Sequence, residues 1–136
     1  MSDKNGEESQ RKMMELGMME NTLKQIDQQL GAIEQQILQD KSLEISLDEL
    51  GKNGKSEAVF PFGGGIFING SVEKIKNVLV SIGSGIIVEK DIENAKKFLQ
   101  ERIGKMSSAK EQLGIQVEEI LSAATNVEKG IRESQK

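Results

Sequence analysis

Apolar residues recur through the N-terminal third of the chain at Leu16, Met19, Leu23, Ile26, Leu30, Ile33 and Ile37, in alternating steps of three and four. That stripe is narrower than the one on an ordinary surface helix and has the spacing of a coiled-coil seam. The phase is lost at Asp40 and Glu44 and resumes offset at Leu43, Leu47 and Leu50, which predicts a local stutter. Gly51 then predicts the end of a first helix over 8–50. A second seam runs through Ile92, Leu99, Ile103, Met106, Leu113, Val117, Ile120, Ala124, Val127 and Ile131, interrupted only at Ala95 or Lys96 and at Lys110. Asp91 stands where an N-cap carboxylate accepts a backbone N–H, so the second helix is expected over 91–133.

Between the helices the apolar period shortens to about two and β-branched residues dominate. Four strands are predicted, at 58–62, 66–72, 78–82 and 86–89, with turns at Gly63-Gly64-Gly65, at 73–77 and at Gly83-Ser84-Gly85. Alternation puts Ile66, Ile68 and Val72 on one face, and likewise Val78, Val80 and Ile82, so two adjoining hairpins over 57–89 are the economical topology. Pro61 has no N–H to donate and belongs at an edge or a bulge. The expected fold is α+β, a single domain over 1–136 in which a long antiparallel helical coiled coil carries two central β-hairpins. Helices of about 40 residues would make a coil roughly 60 Å long, with the hairpins at one end and both termini at the other.

Composition narrows what such a chain can do. Apolar residues make up 36% of the 136 residues but aromatics only 3%, too few large rings for an ordinary globular core. Three of the four phenylalanines, Phe60, Phe62 and Phe67, cluster in the strand region, so the packed centre is expected there. With no Cys and no His, the chain lacks thiol chemistry, disulfides, imidazole bases and the usual zinc sites. A net charge of −4 opposes binding to a phosphate backbone, so nucleic acid is not an expected partner. The start, MSDKNGEESQ, is polar, and no apolar run approaches the roughly 18 residues of a membrane span. A soluble, cytoplasmic protein is expected, with no membrane partner.

"GKNGKS", at 51–56, ends like a phosphate-binding loop, yet the glycine such a loop needs at position 49 is Glu. Its order is also reversed: a phosphate loop runs from strand to helix so that a helix N-terminus meets the anion, whereas this segment runs from helix to strand. It reads as a solvated connector, and the two glycine clusters read as hairpin turns. The carboxylates lie on polar helix faces, where solvated charge is the ordinary state. No catalytic, cofactor-binding or metal residue is therefore assigned, and the chain is not expected to be an enzyme.

Two hairpins cannot cover both faces of so apolar a strand set, and two-stranded units are marginal in water. Val59, Phe60, Phe67, Leu79 and Ile87 call for strands from other chains, which predicts oligomerisation from open edges and faces alone.

Residues 58–103 resemble the central region of the prefoldin alpha-class subunit. The likeness rests on Pro61 followed by Gly63 and Gly65, on Gly70, on Val80-Ser81-Ile82-Gly83-Ser84-Gly85, on Glu89-Lys90 and on Phe98-Leu99. The flanking helices match in length and position only. Four strands, where the beta class has a single hairpin, favour the alpha class. The resemblance implies a hexamer of two alpha with four beta-type subunits whose hairpins join in β-barrels. Such an assembly holds non-native client proteins at coiled-coil tips without ATP and delivers them to a group II chaperonin.

Under that resemblance the assembly surface comprises Val59, Phe60, Phe62, Ile66, Phe67 and Ile68 in the first hairpin and at its turn. Val72 ends that hairpin, and Val78, Val80, Ile82, Ile86 and Val88 continue the surface in the second. The client surface falls where 9–20 meets 122–135: Met13, Met14, Leu16, Met18 and Met19, closed by Val127 and Ile131. Leu16 and Met19 are in heptad phase, where packing accounts for them. Met13, Met14 and Met18 lie off the seam, either as adaptable apolar contacts or as plain exposed residues. Gly17, Gly31, Gly104, Gly114 and Gly130 fall inside helical spans and should soften the arms. The competing reading is a scaffolding coiled coil with one defined partner.

Overall fold

The computed structural model describes residues 2–52, 54 and 56–134. In chain order it has α1 (Ser2–Lys52), β1 (Ser56–Gly63), β2 (Ile66–Val72), β3 (Asn77–Gly83), β4 (Ile86–Asp91) and α2 (Ile92–Ser134). This is the expected α+β order of two long helices around two hairpins. α1 runs longer than predicted, beginning at Ser2 and continuing past Gly51 to Lys52, while α2 has the predicted length and lies within one residue of its predicted bounds. Asn53 and Lys55 of the "GKNGKS" connector lie outside the described residues.

The chain forms two compact units, one of 1–36 with 106–136, all-helical in its described residues, and a hairpin-bearing one, 37–105. In the hairpin-bearing unit the antiparallel sense of the helices is visible in their side-chain pairs, since Asp40 meets Arg102, Glu44 meets Gln100 and Asp48 meets Lys96. Ile37, Ile92, Ala95 and Leu99 are buried there. Gly51 closes the approach: a Cβ at that position would already touch Ile92 at 3.4 Å. In the all-helical unit Ile26 is buried, and Leu16, Met19, Leu23, Leu30 and Ile33 are half-buried beside it.

The expected stutter is absent. Burial continues in unbroken steps of three and four from Ile37 through Asp40 and Glu44 to Leu47, so two polar residues hold seam positions in phase. Hydrophobicity alone hides this, because what qualifies Asp40 and Glu44 for the seam is a partner on α2. Leu43, expected to carry the offset phase, is instead about half exposed.

α2 starts as Asp91 predicts. The Asn94 backbone N–H donates to Asp91 Oδ1 at 2.7 Å, satisfying one of the orphan donors of the first turn. The Ile92 N–H donates to the Lys76 carbonyl at 3.3 Å, tying the helix start to the segment that joins the hairpins.

Each hairpin is its own two-stranded antiparallel sheet, β1 with β2 and β3 with β4. Their registers shift between Pro61 and Gly63 and between Ser81 and Gly83, so both hairpins enter their turn through a bulge. The middle turn residues, Gly64 and Ser84, have φ of 57° and 54°, the same left-handed conformation. Pro61 thus sits beside a bulge in a strand paired on one side only, the position expected of a residue without an N–H. Gly70 admits the Phe60 ring, which would lie only 2.8 Å from a Cβ there.

A Cβ added at Gly17, Gly31, Gly104 or Gly114 would meet nothing within 4 Å. Each Gly→Ala replacement should therefore stabilise its helix by about 0.5–1 kcal/mol. Thermal melting followed by circular dichroism should show an upward shift for each variant. A downward shift at any of the four would mean that the helix bends there and needs the glycine.

Candidate functional site

Two surfaces and one polar contact set stand out. On the first hairpin, Phe60 faces Ile68 and Pro61 faces Phe67 across the ladder. Alternation puts Phe60, Ile68 and Val72 on one side and Val59 and Phe67 on the other. Val59, Phe60, Phe62, Ile66, Phe67 and Ile68 are all exposed, while Val72 is half-buried. In the second hairpin Val78, Val80 and Val88 share a half-buried face, and Ile82 and Ile86 are exposed near the turn. Its other face presents Leu79 and Ile87, also exposed.

The half-burial of the second hairpin has a local cause. Val78, Leu79 and Val80 border a groove whose other wall is Leu43 and Leu47 of α1 with Phe98 and Leu99 of α2. Leu43 is therefore part of a groove wall and not of the helical seam. Strand alternation could assign faces, but it could not say which face meets the helices.

The methionine stretch lies on α1 in the all-helical unit. Met13, Met14 and Met18 are 63–70% exposed, whereas Leu16 and Met19 are half-buried in the seam. Val127 and Ile131 on α2 are half-buried too, and contact between the two helices there is visible where Lys12 Nζ reaches within 2.9 Å of the place a Gly130 Cβ would take. Sequence phase thus separated the two classes of methionine correctly: those off the seam project to solvent.

The polar contacts were not anticipated. Arg102 donates from Nε to Asp40 Oδ2 at 2.7 Å and from Nη2 to Oδ1 at 2.8 Å, a two-pronged bond to a carboxylate with no solvent exposure. The guanidinium also lies 5.3 Å from the centroid of the Phe98 ring, within cation–π range. The hydrogen bond to Asp40 raises the Arg102 pKa further, keeping it cationic. Gln100 Nε2 donates to Glu44 Oε1 at 2.6 Å. Lys96 Nζ donates to Asp48 Oδ1 at 2.9 Å and reaches Glu93 at 3.2 Å, while Lys52 holds the other Asp48 oxygen at 2.9 Å. Those bonds, from Lys52 first and then Lys96, hold the Asp48 carboxyl below its usual range. The bond to Asp48, and then that to Glu93, raises the Lys96 ammonium above its usual value.

No helix among the described residues is long and apolar enough to cross a membrane.

Two long helices joined through two short hairpins with exposed apolar residues define the class of fold, and comparison with known proteins supplies its family. Residues 19–136 match the family model described as Prefoldin subunit. The chain is 30% identical to the prefoldin subunit alpha of Archaeoglobus fulgidus, over 88% of this chain and 75% of that relative. It is 35% identical to that of Methanobrevibacter smithii, over 78% of this chain and 80% of the relative. The cryo-EM structure of filamentous PFD from Methanocaldococcus jannaschii shares the fold with a TM-score of 0.56 at 19% identity, covering 92% of this chain and 98% of that one. The chain belongs to the prefoldin subunit family, whose members are chaperones.

The Asp48 pair sets a pH dependence whose sign follows from the shifts. A lowered carboxylate contributes stability that is complete above the ordinary carboxylate range and is lost as the pH falls through the lower folded-state value. The raised Lys96 contributes in the opposite sense, fully below the ordinary ammonium range and lost as the pH rises through its folded-state value. The difference in melting temperature between the native chain and Asp48→Asn should be small, because the pair is partly exposed, and constant near neutrality. It should vanish in acid; a difference that persists at ~pH 2 would show that Asp48 acts through packing and not charge.

Proposed function

We propose that two copies of this chain assemble with four beta-type prefoldin subunits in the cytoplasm, through the hairpin faces. The complex holds non-native proteins at the helix tips without ATP and passes them to a group II chaperonin. What carries this reading is the uncovered apolar surface on both hairpins of a chain that belongs to the prefoldin family. Apolar faces of that kind call for strands from other subunits, because an unpaired hairpin edge is otherwise a liability. Val59, Phe60, Phe62, Ile66, Phe67, Ile68, Ile82 and Ile86 would be the contacts reached first, with Val72, Val78, Val80 and Val88 along the half-buried sides.

Clients would meet Met13, Met14 and Met18, whose unbranched, polarizable side chains repack around different shapes at little strain. Leu16, Met19, Val127 and Ile131 lie in the adjoining seam and would join only where the helix ends open. Each contact is weak, and several arms engaging one client would supply the affinity through multivalency. A second reading, a scaffolding coiled-coil assembly with one defined partner, draws support from the fold shared with a filamentous PFD.

The native mass and subunit composition of the complex purified from its own cells decide between them. Two copies with four smaller coiled-coil chains are the expected result; a filament of this chain alone would favour the scaffold. Within the complex, Met13→Gln, Met14→Gln and Met18→Gln together should leave the mass unchanged and weaken suppression of aggregation of unrelated unfolded proteins several-fold. Undiminished suppression would remove the methionines from the client surface. Phe67→Lys should instead dissociate the complex while the helical signal stays, and an intact complex would exclude that face from assembly.

A further inference from the structure

We infer that the Asp40–Arg102 pair is a register lock: it positions α1 on α2 at one heptad setting and excludes the neighbouring ones. The inference is independent of what the tips bind. An apolar heptad seam is nearly degenerate to a slip of seven residues, and every α1 seam position from Leu16 to Ile37 is apolar. Sliding one helix by a heptad sets apolar residues against apolar residues again along most of the seam. At Asp40 the degeneracy ends. A slip of seven in either direction replaces Arg102 with Ala95 or Ala109 in the helix-two sequence, and leaves Arg102 level with Ile33 or Leu47 of helix one. Asp40 has no solvent exposure, so a slip would strip a buried carboxylate of its two-pronged partner with no water to replace it. Asp48 and Glu44, which pair with Lys96 and Gln100, are partly exposed and can turn to water, so they discriminate far less. A buried carboxylate tied to one charged partner, next to a seam that is apolar from Leu16 to Ile37, is an arrangement of the kind that specifies helix register at some cost in stability.

The test places spin labels through Glu44→Cys and Gln100→Cys, a pair in contact at 2.6 Å, in a chain that has no cysteine of its own. Electron–electron distance measurement on the full-length protein in its assembled complex should give one population. Adding Asp40→Leu with Arg102→Leu should keep the helical content, because apolar replacement of both members of an ion pair, here a buried Asp40 and a part-exposed Arg102, is often tolerated. A second population should then appear, displaced along the helix by about 10 Å, the rise of seven residues. The swapped pair, Asp40→Arg with Arg102→Asp, should restore the single population. A single unshifted distance in the leucine variant overturns the lock, as does a swapped pair that stays heterogeneous. If the leucine variant loses its helical signal, the swapped pair alone decides by the same reading.

Discussion

The structure depends on a shortage: the chain has too little bulky apolar side chain to close a core around itself. Among the described residues only Ile26, Ile37, Ile92, Ala95 and Leu99 are buried apolar positions, and all five belong to the helices. Burial comes from one helix lying along another, where even small contacts recur every three or four residues. Little is left to cover the strands beyond the one face of the second hairpin that borders the helices. The hairpins keep phenylalanine, isoleucine and valine in contact with water, and exposed faces of that kind are the ordinary mark of an interaction surface. The open hairpin faces are therefore a consequence of the same economy that makes the helices long.

The polar contacts in the hairpin-bearing unit follow from that economy too. A seam made only of leucine, isoleucine and valine buries surface but says little about which residue faces which. Asp40, Glu44 and Asp48 replace apolar side chains with groups that accept only particular partners, at Arg102, Gln100 and Lys96. The exposed members of the set add little stability, since water competes for them. The buried one differs, because Asp40 has only protein to turn to. Stability is traded there for a defined arrangement, close to the strands that the helices must present in one position.

Much of the architecture could be read from residue pattern. Helix and strand have different apolar periods, and the change from 3.5 to two places the hairpins without reference to any other part of the chain. Gly63 to Gly65 and Gly83 to Gly85 mark turns because the left-handed conformation excludes most side chains, and both turns adopt it. Asp91 marks the start of α2 because a carboxylate can serve the free N–H groups of a first turn. The exposed methionines follow from heptad phase in the same way. Each of these signals is local, carried by a few neighbouring residues and a backbone rule.

What the sequence by itself determined is thus the order of elements, the turns, the cap, the seam positions that are apolar and the family likeness that membership bears out. What only the tertiary structure decided is the meaning of the polar residues inside the seam and of the leucines beside it. Asp40 and Glu44 looked like a break in phase because hydropathy judges each residue alone, while burial of a carboxylate depends on a partner 62 positions away. Leu43 looked like a resumed seam because its role, one wall of a groove beside β3, requires knowing which face of a hairpin meets which side of two helices. Periodicity records how a segment repeats; the pairing of distant charges and the docking of one element on another are properties of the folded chain, where desolvation makes the choice of partner matter.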